Sequence, residues 1–327
     1  MTKTWRRLTL VAALAAGLMP AALTSAALTS AMADDYPTRP ITMIVPFPPG
    51  GNTDIMGRAL QAELSKALNG TVVVLNKGGA AGKIGLVELV KAQPDGYTIA
   101  LTPNNPLTAQ PHTQKMPFDM DSFRYICLTY YAPYVLIAAP QAPFKTFKEF
   151  VAFAKAKPQN LTYGHPGPAS QPHLGMLAVL KAIGADGLGV PFQGAGPMAQ
   201  ALVSNTVMAI TETPAVAAAS GLPILAALSD ERIAALPDVP TMKELGYPAQ
   251  GFTAGGLIAS KDTPPAIVAT LEKACAKATA ADDYKKVVTR LNATPRYMPG
   301  DAFRKLFDED SVRNADAIKR AGLAQSQ

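Results

Sequence analysis

The chain is poor in the residues that most often carry metal, redox or nucleic-acid chemistry. Its 327 residues include three histidines (His112, His165 and His173), two cysteines and a single tryptophan, Trp5. A metal site needs His, Cys or carboxylate ligands clustered at ligand spacing. Three scattered histidines and two cysteines 148 positions apart do not supply one, so no metal and no cofactor is expected. There is no G-x-S-x-G segment, which removes the usual nucleophile turn of a serine hydrolase. No cluster of Lys and Arg stands out, which argues against nucleic acid as a partner. No repeat recurs at a fixed period.

What is present suits a folded core: 48% of residues are hydrophobic and 17% charged. The length allows two domains at roughly 150 residues each. Residues 1–33 stand apart as a predicted secretory signal peptide. Lys3, Arg6 and Arg7 form a basic start, Leu8 to Leu23 is apolar, and Ala31-Met32-Ala33 gives the small-x-small cleavage pattern before Asp34. A membrane anchor needs a longer unbroken apolar span; Pro20, Thr24, Ser25, Thr29 and Ser30 interrupt this one. Export to the periplasm with cleavage after Ala33 is therefore expected. Thirty Lys and Arg, less the three in the leader, against 24 Asp and Glu leave a mature charge of +3. Trp5 departs with the leader. Cys127 and Cys275 can pair in an oxidising compartment. However, Cys127 sits in the strand-like run Tyr125–Leu128, and Cys275 lies on the apolar side of a helix with Val268, Leu271 and Ala278. That separation favours two separately buried thiols.

The chain is organised around Pro46-Phe47-Pro48-Pro49-Gly50-Gly51-Asn52-Thr53-Asp54. A short apolar run, Ile41 to Val45, precedes it, and apolar residues at helical spacing follow from Ile55. The pattern is strand, tight turn, helix start. Prolines stiffen the turn and the glycine pair lets backbone approach a bound group. Asn52, Thr53 or Asp54 can cap the helix, whose unpaired N–H groups make an anion site. Further strands alternate with helices: Thr71–Leu75, a helix from Ile84 to Ala92, and Tyr97–Leu101. This alternation predicts a parallel α/β sheet with ligands outside the carboxyl ends of its strands. The Gly78–Lys83 loop is not a phosphate-binding P-loop, because Gly78 and Gly82 enclose three residues and Ile84 follows Lys83. The apolar segment Tyr125 to Ala139 leads into a second α/β series. This comprises helix Phe147–Ala156, strand Leu161–Tyr163, helix His173–Ile183, strand Gly189–Phe192, helix Pro197–Ser204 and strands Val207–Thr211 and Leu225–Ser229. Residues 251–260 return the chain to the first domain, and helices near 264–280 and 301–321 end it.

With these loops in place the chain resembles the extracytoplasmic solute receptors of the tripartite tricarboxylate transporter family, the Bug receptors. The resemblance rests on an ordered set: Tyr36-Pro37-Thr38-Arg39-Pro40, the Val45–Asp54 loop, Pro94-Asp95-Gly96-Tyr97-Thr98, and Leu161-Thr162-Tyr163-Gly164. It continues through Pro172-His173-Leu174, Val190-Pro191-Phe192-Gln193-Gly194 and Leu236-Pro237-Asp238-Val239-Pro240-Thr241. It spans residues 34–327. It implies an α/β fold of two lobes, a periplasmic-binding-protein-like (type II) flytrap with its ligand cleft between them. The lobes would be residues 34–134 with 251–327, and residues 135–250. It also implies a monomer with no enzyme activity, which binds a small organic acid and delivers it to the membrane permease subunits of a tripartite transporter. The alternative is a ligand sensor feeding a signalling partner.

Carried over by position, the expected ligand-binding residues are Gly50, Gly51, Asn52, Thr53, Thr102, Asn104, His165, Gly167, Ser170, Gln193, Gly194 and Glu212. Phe47 and Phe192 either wall the cleft or pack the core. Asp54 is expected to cap the first helix rather than touch ligand, and His173 to be structural. His165 stands where the family has a small hydroxyl residue or alanine, and its charge is expected to respond near neutral pH. Glu212 beside an anion would repel it unless it meets an amino, amide or hydroxyl group. Ser170 between His165 and His173 resembles a Ser/His pair, but the surrounding prolines and glycines already have a binding-loop explanation.

Overall fold

A computed structural model describes residues 36–324. The predicted leader, residues 1–33, and its cleavage site after Ala33 lie outside the described residues. The first element, β1 (Ile41–Val45), runs through the proline turn into helix α1 (Asn52–Ala67) and back through β2 (Val72–Asn76). Helix α2 (Lys83–Lys91), β3 (Thr98–Pro103) and the short α3 (Asn105–Thr108) follow. β1 pairs in parallel with both β2 and β3, as βαβ units require.

The predicted apolar segment at 125–139 is two strands, one in each of two sheets: β4 (Phe123–Pro133) and β5 (Val135–Ala138). The second series then runs α4 (Phe147–Ala156), β6 (Thr162–His165), α5 (Gln171–Ile183), β7 (Leu188–Pro191) and α6 (Ala195–Val203). It ends with β8 (Ala209–Glu212), α7 (Pro214–Ser220) and β9 (Ile224–Ala227). The chain returns on β10 (Phe252–Ser260) and finishes with α8 (Pro265–Ala280), α9 (Asp282–Arg290), β11 (Thr294–Pro299) and α10 (Gly300–Arg320). The C-terminal part thus holds a further helix and an edge strand between the two helices expected near 264–280 and 301–321. β11 carries mostly exposed or half-buried side chains, and its strand conformation comes from pairing with β4.

The six-stranded sheet has the order β11-β4-β10-β3-β1-β2 and the five-stranded sheet β7-β6-β8-β5-β9. Both are mixed, not wholly parallel as the strand–helix alternation predicts. β10 is antiparallel to β3 and β4, and β5 is antiparallel to β8 and β9. These are the strands that carry the chain between the lobes, and each has to enter a sheet against the direction of its βαβ strands. Apolar cores cover both faces of the six-stranded sheet and fill the second lobe. A smaller cluster of Ala109, Ala169, Leu174 and Ile318 joins the lobes.

The expectation of two separate thiols is corrected: Cys127 on β4 and Cys275 on α8 form a disulfide, with Cα atoms 6.6 Å apart. Both local readings were sound, a buried strand position and the apolar side of a helix. Helix α8 lays that side on β4, so the two buried sites are one site, within the Cα separation a disulfide spans. The bond closes a loop that contains the whole second sheet.

Candidate ligand cleft

The lobes meet at Tyr134. Its N–H donates to the Gly251 carbonyl and its own carbonyl accepts from Leu228 N–H, each at 2.8 Å. On one side Pro133 pairs with Phe252, and three residues further along β10 Gly255 pairs with Pro103, the last residue of β3. On the other side Val135 pairs with Glu212, the last residue of β8, and β6 runs parallel to β8. The carboxyl ends of β1, β3, β6 and β8 therefore all open toward this crossing, where α/β sheets bind ligands.

The wall from the first lobe is made of backbone. Helix α1 starts on Gly51 with no side-chain cap, and its first internal bond is Ile55 N–H to the Gly51 carbonyl (3.0 Å). The N–H groups of Asn52, Thr53 and Asp54 precede that bond, at the positive end of the helix dipole. Gly50, Gly51 and Asn52 are exposed and Thr53 half-buried. Gly50 has φ +83°, a turn conformation that favours glycine. Asp54 is buried and faces inward, accepting from Gly50 N–H (2.9 Å), Asn76 Nδ2 (2.9 Å) and Arg58 Nε (3.1 Å). Burial raises its carboxyl, but the Gly50, Arg58 and Asn76 hydrogen bonds together outweigh that and hold it below the usual range. Asp54 thus clasps the turn to the end of β2, and the cap position itself belongs to Gly51. Phe47 is half-buried with its ring tip over Gly82, where an added Cβ would lie 3.4 Å from the ring and 2.9 Å from Pro106. That close approach accounts for the glycine.

Thr102 and Asn104 lie inside the protein rather than on the rim. The Thr102 hydroxyl donates to the Pro103 carbonyl at 3.1 Å. Asn104 Nδ2 donates to Asp310 Oδ2 (2.9 Å) and its Oδ1 accepts from Ala254 N–H (3.4 Å). The same carboxylate oxygen accepts from Thr108 (2.7 Å) and Asn314 (3.1 Å), and Gln171 at the start of α5 reaches Thr108 at 3.4 Å. Sequence reasoning missed this buried network, because Asp310 and Asn314 sit on a helix some 200 positions from their partners. It also missed Asn105, whose Nδ2 crosses to the Ala169 carbonyl of the other lobe (3.2 Å).

The second lobe contributes side chains. His165 ends β6 and is 4% exposed, with its ring stacked on His173 at 3.9 Å and 8° between planes. His173 Nδ1 accepts from Ala169 N–H at 3.2 Å, orienting the loop. Burial, and next the neighbouring His165, push His173 down to about 4; burial likewise lowers His165. Desolvation thus moves the His165 titration below its ordinary value. His165 Nδ1 is buried without a hydrogen-bond partner among the described residues. The Ser170 hydroxyl donates to the Gly167 carbonyl (2.7 Å), tying the loop rather than meeting a histidine. Helix α5 starts on Ser170 and α6 on Gly194, both without a side-chain cap. Phe192 is half-buried against Gly164, and Gln193 is exposed. Glu212 is buried, its Oε1 accepting from Thr213 N–H at 2.7 Å, and burial pushes it up to about 7 against that bond.

A separate cavity of about 640 Å³ lies between α5 and α10, lined among others by Leu177, Lys181, Arg313 and Arg320. None of the predicted ligand residues lines it. The rim at the crossing is therefore the candidate site: three helix N-termini from two lobes, with no Lys or Arg among the expected ligand residues.

A family model for the tripartite tricarboxylate transporter family receptor matches residues 56–323. The chain is 33% identical to Protein BugT of Bordetella pertussis over 89% of this chain and 91% of that protein. A TctC solute-binding protein from Polaromonas, solved without ligand, superposes with a TM-score of 0.80 at 34% identity, covering 87% of this chain and 99% of the other. MatC from Rhodopseudomonas palustris, solved with bound malate, gives 0.70 at 30% identity over 86% and 100%. The two sheets with a cleft at their crossing are the two-lobed fold of these binding proteins. The protein belongs to the tripartite tricarboxylate transporter receptor family.

Proposed function

We propose that the protein is exported, loses its leader after Ala33, and acts as a monomeric periplasmic receptor for a small carboxylic acid. Ligand bridges the lobes, residues 34–134 with 251–327 and residues 135–250, so that its binding energy favours the closed state. The loaded receptor then delivers the acid to the permease subunits of a tripartite transporter. The observation that carries this reading is that α1, α5 and α6 start, without side-chain caps, just after the carboxyl ends of β1, β6 and β7. Such termini bind carboxylates through N–H groups and need no cationic side chain.

In this reading the carboxylate lies on Gly50, Gly51, Asn52 and Thr53 of one lobe and Gly167, Ser170 and Gly194 of the other. Phe47 and Phe192 wall the cleft, and His165, Gln193 and Glu212 select the rest of the ligand. Asn104 contributes by holding the rim, through Asp310. MatC's malate supports a small di-acid as the first probe. The test is a thermal-shift screen of residues 34–327 against small carboxylic acids, malate included. A ligand at 100 times its dissociation constant adds about 2.7 kcal/mol and raises the melting temperature by several degrees. A clear shift with one or a few acids is expected; a folded, ligand-free protein silent to the whole panel would refute the carboxylate reading.

A further inference from the structure

The candidate cleft gathers donors for an anion and, among them, one buried acid. Glu212 closes β8 at the lobe crossing, opposite Val135, immediately before Thr213 from which α7 starts. It is 8% exposed, and Thr213 alone supports its ionised form by hydrogen bonding. The titratable groups on neighbouring elements are Tyr134 at the crossing, which Glu212 influences, and, at the end of the adjoining β6, His165, which stacks on His173 of α5. Tyr134 is kept protonated chiefly by burial and then by Glu212 itself, with Tyr130 and Asp310 acting in the same direction. The two histidines are held neutral by burial. Among the described residues no lysine or arginine offsets the carboxyl. An anion placed on the helix N-termini beside an ionised Glu212 would set two like charges together with no cationic side chain among the expected ligand residues to offset them, which disfavours one of the two ionisations.

We propose that the receptor binds its acid together with a proton, with Glu212 neutral in the loaded cleft and donating a hydrogen bond to a ligand oxygen. This rests on the receptor reading above. Its balance is simple: an anionic ligand and one proton enter from solution, the proton resides on the Glu212 carboxyl, and both leave on release. The free carboxyl titrates near neutrality, and a bound anion raises its proton affinity further. The partner chemistry is therefore an acid with an acceptor oxygen facing Glu212, not one that must carry an amino group there.

Calorimetric titration of residues 34–327 with malate and other small di-acids, in phosphate and in Tris at pH 6 and 8, reads the proton directly. Affinity about tenfold weaker at pH 8 than at pH 6, with close to one proton taken up at pH 8, is expected from this linkage. Glu212→Gln keeps a neutral donor, so it should bind equally at both pH values with no Glu212-linked uptake. Carbon-13 NMR of the glutamate carboxyls in the free protein should show one group titrating about two pH units above the rest. Binding of a di-acid by wild type without proton uptake at either pH would overturn the proposal while leaving the receptor reading intact, and this arm does not depend on the variant folding. Unchanged pH dependence in Glu212→Gln would also overturn it. No carboxylate bound at either pH would remove the receptor reading and this inference with it.

Discussion

The two walls of the candidate cleft are built on opposite terms. The first-lobe wall is backbone: a proline turn, the uncapped start of α1, and the buried Asp54 that clasps Gly50, Asn76 and Arg58 behind it. Behind that lobe the Cys127–Cys275 disulfide joins the outgoing and returning halves of the chain. The second-lobe wall carries ionisable side chains, His165, His173 and Glu212, all buried and all pushed toward their neutral forms. One wall is a rigid field of donors, and the other is a polar surface whose charge depends on its burial. In the proposed reading the first holds the carboxylate common to all ligands and the second discriminates among them.

The sharpest way to break this contrast is to remove the staple from the first lobe. Reduction, or Cys127→Ser with Cys275→Ser, frees a loop with a sequence separation of 148 residues. On the chain-entropy account this costs about 5 kcal/mol. Denaturant unfolding with and without reductant checks it, and hydrogen exchange should place the loss in the first lobe.

Next comes the pH dependence of the second wall, where the two groups act with opposite signs. Glu212 has a folded value of about 7 against 4.5 in the reference state, so the folded protein holds the extra proton. Stability is then lost as pH rises from about 4.5 to 7, by about 3 kcal/mol. His173, at about 4 against 6.5, binds its proton more weakly when folded, so stability is lost as pH falls from about 6.5 to 4, by a similar amount. Because the two windows overlap from about pH 4.5 to 6.5, the slopes largely cancel in the wild type. Ligand-free thermal melts across pH 4 to 8 should show Glu212→Gln unmasking a rise of stability with pH and His173→Gln unmasking a fall. Slopes unchanged by either substitution would mean that this wall is better solvated than its burial indicates.

The smallest effect is expected at the clasp. Asp54→Ala leaves Gly50 N–H without its acceptor and Asn76 Nδ2 with only the Phe47 carbonyl, and should cost about 2 kcal/mol. It should weaken ligand binding by more than the stability change suggests, because the turn that presents the N–H groups is loosened. Equal affinity in Asp54→Ala would show that α1 presents its N-terminus without help.

Local pattern made much of the fold legible. The proline–glycine turn and the strand and helix on either side of it are properties of short segments, although the helix cap falls on Gly51 rather than on Asn52, Thr53 or Asp54. Strand–helix alternation exposed the βαβ units for the same reason. What failed was every feature that depends on which distant elements touch. The disulfide was hidden because a strand position and a helix face each read as buried, and burial does not say beside what. The antiparallel crossing strands were hidden because direction within a sheet is set by the route between lobes, not by residue period. Asn104 carries no local sign that Asp310 will occupy its amide.

By itself, then, the sequence determined a two-part α/β chain and membership of a receptor family through motifs spread along its length. Tertiary structure decided the rest. It chose which polar side chains are consumed by internal bonds, as with Asn104 and Ser170, and it joined the cysteines. It also pushed His165, His173 and Glu212 toward their neutral forms. Those shifts follow from desolvation, and desolvation is a property of everything packed around a group rather than of its place in the chain.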